Sequence, residues 1–140
     1  MSTIYTAEAI STGAGRNGRT RTDDGRIDLQ LAMPQEMGGS GDGTNPEQLF
    51  AAGYAACFHS ALQAVARAAK ADLGDSSVGA RVGIGPNDSG GFVLEVALEV
   101  VIPNLPHDEA QQLADKAHQM CPYSNATRGN IPVTVTVTDD

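Results

Sequence analysis

The sequence predicts an α+β fold on three observations. A long alanine-rich stretch, PEQLFAAGYAACFHSALQAVARAAKADL (46–73), begins with helix start signals. Two runs, RIDLQLAM (26–33) and IPVTVTVTDD (131–140), alternate side chains in the period of a strand. Strand and helix patterns are segregated along the chain rather than strictly alternating, which favours α+β over α/β. With 140 residues and no visible repeat or linker, the chain reads as one domain, 1–140.

The elements follow in order. STIYTAEAIST (2–12) is a strand candidate, and GAGRNGRTRTDDG (13–25), holding Arg16, Arg19 and Arg21, reads as a turn-rich hairpin connection. RIDLQLAM is a half-buried strand with Ile27, Leu29, Leu31 and Met33 on one side. PQEMGGSGDGTNP (34–46) is a glycine-rich loop. Asn45 is a good N-cap, Pro46 suits the first helical position, and Gln48 completes a capping box, so a helix is expected from Pro46 to Leu73, with Gly74 as its stop. ARVGIG (80–85) and GFVLEVALEVVIP (91–103) are two strands joined through PNDSGG, with Glu95 and Glu99 facing out. PHDEAQQLADKAHQMC (106–121) is an amphipathic helix with Leu113, Ala117, Met120 and Cys121 on one stripe. The last alternating run is a strand.

Composition narrows the function. Hydrophobic residues make up 41% and charged residues 19%, enough for an ordinary core, but aromatics are 4% and tryptophan is absent, so small aliphatic residues must fill it. A net charge of −8 argues against nucleic acid, whose phosphates need clustered Lys and Arg, and against an anionic membrane surface. No run approaches the ~18 apolar residues of a membrane span, and MSTIYTAEAI lacks the charge and apolar pattern of a leader. A cytoplasmic location is the expectation. In a reducing compartment a disulfide between the two cysteines, Cys57 and Cys121, would be transient and catalytic rather than structural. Cysteine also packs as a small hydrophobe, and that reading stays open.

Three constellations compete for chemistry. Cys57 and His59 with His118 and Cys121 superficially fit zinc, but helical residues two apart point ~200° away from each other, which disfavours one shared ion. The loop GGSGDGT lacks the lysine and spacing of a phosphate loop. A Cys–His acyl-transfer site, with Cys57 as nucleophile and His118 or His107 as base, is compatible with the residues. A cysteine in mid-helix lacks the N-terminal dipole that lowers thiol pKa, so a reactive Cys57 needs a cation from elsewhere, and Arg16 is a candidate.

TNPEQLFAAGYAACF followed downstream by CPYSNATRGNI, with GRNG near the start and MPQEMGGSGDGTNPEQLF between, resembles the organic hydroperoxide resistance (Ohr) branch of the Ohr/OsmC family. The likeness covers essentially the whole chain, in order. It implies antiparallel sheets around a long central helix in an intertwined homodimer with active sites at the subunit interface. It implies a peroxidase that needs no bound cofactor and is recycled by an external dithiol, typically a lipoylated protein. By the same resemblance Cys57 is the peroxidatic and Cys121 the resolving cysteine, Arg16 the catalytic arginine, and Glu47 the carboxylate that orients it. Leu49, Phe50, Tyr54 and Phe58 are the expected apolar lining for organic hydroperoxides. A non-enzymatic peroxide-sensing or ligand-binding module of the same fold is the rival.

Helix geometry adds one expectation. Ten residues of continuous helix separate Glu47 from Cys57 by ~15 Å along the axis. An Arg16 held by Glu47 reaches a cysteine more easily in a second copy packed antiparallel, so Glu47 is expected to serve the partner's Cys57. The alternative is a kink at Gly53.

Overall fold

In the computed structural model, residues 1–139 are described. They divide into two compact units, Met1–Leu49 and the described residues from Phe50 onward.

In the first unit, β1 (Ala9–Thr12), β2 (Arg19–Thr22) and β3 (Asp28–Gln30) form an antiparallel sheet in that order. The segment read as a hairpin connection thus contains a strand. Arg19-Thr20-Arg21-Thr22 alternates exposed arginines with half-buried threonines, a period-2 pattern written in polar residues that a search for apolar alternation passes over. The first strand is shorter than expected: residues 1–8 carry no strand, and Ile4 and Tyr5 are exposed. The glycine-rich loop folds back on β3. Leu31 bridges Thr44 in parallel, Ala32 N donates to Thr44 O at 3.0 Å, and a Cβ at Gly43 would lie 2.8 Å from Ala32 N. This doubling-back delivers Asn45 to the helix start.

Helix α1 runs Pro46–Ala68 and is continuous through Gly53. Its capping box is formed: Gln48 N donates to Asn45 Oδ1 at 2.9 Å, and Asn45 N to Gln48 Oε1 at 3.2 Å. The helix ends before the expected Leu73 because Lys70 takes the left-handed conformation (φ 56°). Ala71 N then donates to Ala66 O at 2.9 Å and Lys70 N to Arg67 O at 3.1 Å, a Schellman closure. Only glycine occupies that conformation without steric cost. Lys70→Gly is therefore expected to raise stability by ~0.5–1 kcal/mol in urea denaturation.

In the second unit, β4 (Ser77–Pro86) and β5 (Phe92–Val101) form an antiparallel hairpin from Ser77↔Val101 to Pro86↔Phe92. After β5 come α2 (His107–Met120) and α3 (Pro122–Thr127), and β6 (Val133–Val137) returns parallel to β5. The helical crossover brings the chain back to β5 in the same direction, so this pairing departs from the antiparallel expectation. Val96, Leu98 and Val100 of β5 point into the core while Glu95 and Glu99 face out, as alternation predicts. Against that face lie Tyr54, Phe58, Ala61, Leu62 and Val65 of α1 and Ala110, Leu113, Ala114 and Ala117 of α2. Leu62 and Leu98 are fully buried, each worth about 2 kcal/mol of hydrophobic stabilisation.

By length and mean hydropathy α1 matches a membrane-spanning helix, contrary to the reading of the sequence, but its apolar stripe is part of this core. Met120 lies at nearly the azimuth of Leu113 yet is 51% exposed. The predicted stripe fails at the last turn of α2, where no described residue covers it.

Candidate active site

Four residues predicted to act together fall into two pairs, one in each unit. In the first unit the 3₁₀ turn Gly15–Asn17 holds Arg16. Its backbone is fixed from both sides. Met33 N donates to Asn17 Oδ1 at 3.1 Å, Leu31 N donates to Gly18 O at 2.8 Å, and a Cβ at Gly18 would sit 2.2 Å from Thr12 O. Arg16 Nη1 donates to Glu47 Oε1 at 2.6 Å and Oε2 at 3.1 Å. One nitrogen is shared between both oxygens, so the grip differs from a two-nitrogen fork and leaves the other guanidinium donors without a hydrogen-bond partner among the described residues. Glu47 stands in the first turn of α1, where a negative charge is favourable. Arg19 is committed elsewhere: its Nε and Nη2 fork onto Asp28 at 2.7 and 2.6 Å.

In the second unit Cys57, half-buried in mid-α1, and Cys121, fully buried at the α2–α3 junction, are both free thiols. Their sulfurs are 3.5 Å apart. Pro122 explains the placement of Cys121. A residue before proline is pushed out of the α region, and Cys121 has φ −61° and ψ 124°, so α2 stops and α3 starts afresh with proline at its first turn. Burial pushes the Cys57 thiol up from its ordinary pKa. The backbone N–H of Tyr123 pulls the other way, and the neighbouring Cys121 sulfur adds to the rise. A thiol in this setting stays protonated at neutral pH unless a cation is brought to it.

Tyr123 is clamped over α1. Its ring stacks on Phe50 (5.8 Å, 17°) and meets Tyr54 edge-on (5.5 Å, 61°). A Cβ at Gly53 would lie 2.9 Å from the Tyr123 hydroxyl, so this glycine makes room for the ring. An apolar cavity of about 810 Å³ adjoins it, lined by Phe50, Phe92, Leu94, Pro122, Tyr123 and Ile131. Of the residues expected to line a pocket, Phe50 is on this wall. Tyr54 and Phe58 are wholly buried in the core, and Leu49, half-buried, is not among the lining. The cavity walls from β5 and α3 escaped sequence reading. The available signal was the cluster Phe92-Val93 at the start of a strand, both exposed.

The other candidates are dispersed. His59 Nε2 is 2.9 Å from Ser76 Oγ, and His118 Nδ1 is 2.7 Å from Ser124 Oγ. Among the described residues no histidine hydrogen-bonds either thiol, and no cluster of three or more His, Cys, Asp or Glu could hold a metal ion. Burial, then the nearby Arg128 charge, lower the His118 pKa, with Asp115 opposing. A histidine whose folded pKa is depressed is protonated first in the unfolded chain. Stability is thus full above the ordinary histidine pKa of ~6.5 and falls as pH drops below it. His118→Asn is expected to flatten the loss of stability between about pH 7.5 and about pH 5, measured by urea titration at each pH.

Comparison with known proteins places the chain. The family of OsmC-like proteins matches residues 39–136. An organic hydroperoxide resistance protein of Xanthomonas axonopodis pv. citri is 55% identical over 136 residues, covering 96% of this chain and 94% of that one. A crystal structure of an organic hydroperoxide resistance protein from Elizabethkingia anophelis superposes with a TM-score of 0.95 at 52% identity, over 100% of both chains. Bacillus subtilis OhrB superposes with a TM-score of 0.88 at 42% identity, over 97% of this chain and 100% of that chain.

Proposed function

This chain belongs to the Ohr/OsmC family, and from that premise we propose that it is a thiol-dependent peroxidase reducing organic hydroperoxides to alcohols. Relatives named for organic hydroperoxide resistance support the role. The observation that carries the mechanism is the pair of free sulfurs 3.5 Å apart, one in mid-helix and one fully buried.

The Cys57 thiolate attacks the distal oxygen of ROOH. The O–O bond breaks, the departing alkoxide takes up the proton that the thiol lost and leaves as ROH, and Cys57 becomes a sulfenic acid. Cys121 attacks that sulfur, water leaves, and a Cys57–Cys121 disulfide forms. A dithiol, of lipoyl type on a partner protein, then reduces the disulfide and is itself oxidised to a cyclic disulfide. No bound cofactor takes part. Because burial holds the Cys57 thiol up, a cation is needed, and Arg16 oriented by Glu47 supplies it. In the homodimer that cation comes from the partner subunit. Apolar surroundings favour organic peroxides over hydrogen peroxide.

A steady-state assay comparing cumene hydroperoxide with hydrogen peroxide, each with dihydrolipoamide or thioredoxin as donor, tests this reading. Turnover is expected to be fastest with cumene hydroperoxide and dihydrolipoamide. One oxidation without turnover under any donor contradicts it and favours a sensor; thioester formation without peroxide consumption favours an acyl transferase.

A further inference from the structure

We propose that the network Tyr54–Ser124–His118, joined by Thr127, is a positioning device for disulfide formation, holding Cys121 against Cys57 so that resolution outruns overoxidation. The inference rests on the two-thiol reading above.

Ser124 is the hub. Its Oγ lies 2.8 Å from Tyr54 Oη and 2.7 Å from His118 Nδ1, and Thr127 Oγ1 is 3.0 Å from the same Tyr54 oxygen. Tyr54 and Ser124 are fully buried, and Thr127 nearly so. Each of the three main members stands three residues from a cysteine: Tyr54 before Cys57 on α1, His118 before Cys121 on α2, and Ser124 after Cys121 on α3. That spacing puts Tyr54 and Cys57 on one face of α1, while Cys121, extended at the junction, lies between the His118 and Ser124 segments. The network therefore links the three segments that carry the two sulfurs.

Helix α3 needs such a link. At six residues it is too short to hold itself, since isolated helices shorter than about 12 residues are marginal. The Ser124 and Thr127 hydroxyls fix its middle and last residue to Tyr54, and Arg128 Nη2, just beyond its end, donates to His118 O at 2.6 Å. Burial holds His118 neutral, which leaves its Nδ1 able to accept the Ser124 hydroxyl. An apolar core could fill this space without polar atoms. A fully satisfied polar network adds a defined geometry that apolar packing does not.

The step served is Cys57–SOH + Cys121–SH → Cys57–S–S–Cys121 + H₂O. It competes with Cys57–SOH + ROOH → Cys57–SO₂H + ROH. A network that sets the approach of Cys121 changes the first rate and leaves the initial attack on peroxide untouched. Loss of such positioning slows resolution by on the order of tenfold, the factor that about 1.4 kcal/mol carries.

The test treats the full chain with cumene hydroperoxide, quenches it over time, and measures intact mass for disulfide against sulfinic acid. Tyr54→Phe and Ser124→Ala are compared with wild type. His118→Asn keeps a polar group near Nδ1, and Val100→Ala is a core substitution matched for loss of thermal stability. The expected result is unchanged consumption of the first peroxide, disulfide formation about tenfold slower in Tyr54→Phe and Ser124→Ala, and sulfinic acid accumulating at peroxide levels the wild type withstands. His118→Asn should recover most of the wild-type rate. Wild-type resolution in Tyr54→Phe and Ser124→Ala overturns the inference, as does equal overoxidation in Val100→Ala. Absence of any disulfide in wild type overturns the two-thiol reading itself, and the inference with it.

Discussion

Cys57→Ser is expected to abolish peroxide reduction, while Cys121→Ser completes one rapid turnover and then accumulates sulfinic or sulfonic acid at Cys57. The asymmetry follows from the positions of the two thiols. Cys57 is the half-buried sulfur, within reach of a substrate, and the fully buried Cys121 is 3.5 Å behind it. Without Cys121 nothing consumes the sulfenic acid except more peroxide. Serine at position 57 offers a hydroxyl of far higher pKa and no path to a sulfenic acid. Intact-mass measurement after peroxide separates the cases. Oxygen uptake that persists in Cys57→Ser would mean that the assignments are wrong.

Arg16→Ala is expected to move thiolate formation at Cys57 to higher pH and to slow its oxidation by on the order of 10²-fold, the usual cost of losing one group that stabilises developing charge. Arg19→Ala should change neither, because Arg19 is already forked onto Asp28 in the sheet, and exposed Arg21 should behave likewise. Thiol alkylation against pH reads the first effect and single-turnover oxidation the second. Equal effects from all three arginines would replace a specific cation with a diffuse basic patch. Glu47→Ala should reproduce part of the Arg16→Ala loss, since Glu47 fixes the guanidinium at 2.6 Å. If the cation serves the partner subunit, mixing Cys57→Ser with Glu47→Ala protein places both defects in one site and leaves the other intact, restoring activity. No recovery on subunit exchange would assign Arg16 and Glu47 to their own chain's Cys57.

Much of this was legible in the sequence because local chemistry dictated it. Asn45, Pro46 and Gln48 specified the start of α1, and the Glu95 and Glu99 alternation specified which face of β5 is buried. The end of α1 was not legible: Gly74 is the conventional stop, but Lys70 adopted the left-handed conformation first. Strand β2 was hidden because its alternation is Arg–Thr. The closeness of Cys57 and Cys121 follows from tertiary packing at the junction before Pro122, where the expected helix ends without showing what Cys121 meets, so only family resemblance linked them. The hydroxyl network was invisible for a related reason. Ser124 and Thr127 lie beyond the expected helix end at Cys121 and are turned inward by α3, and Tyr54, expected to line a pocket, is core with its oxygen bonded to them.

The central claim is that one organic hydroperoxide converts these two thiols into one disulfide. The most direct measurement adds one equivalent of cumene hydroperoxide to the reduced protein without a donor, then maps non-reduced peptides and quantifies the alcohol. A Cys57–Cys121 linkage with one cumyl alcohol per chain is the predicted result. Two free thiols with intact peroxide, or an oxidised Cys57 beside an untouched Cys121 thiol, would contradict it.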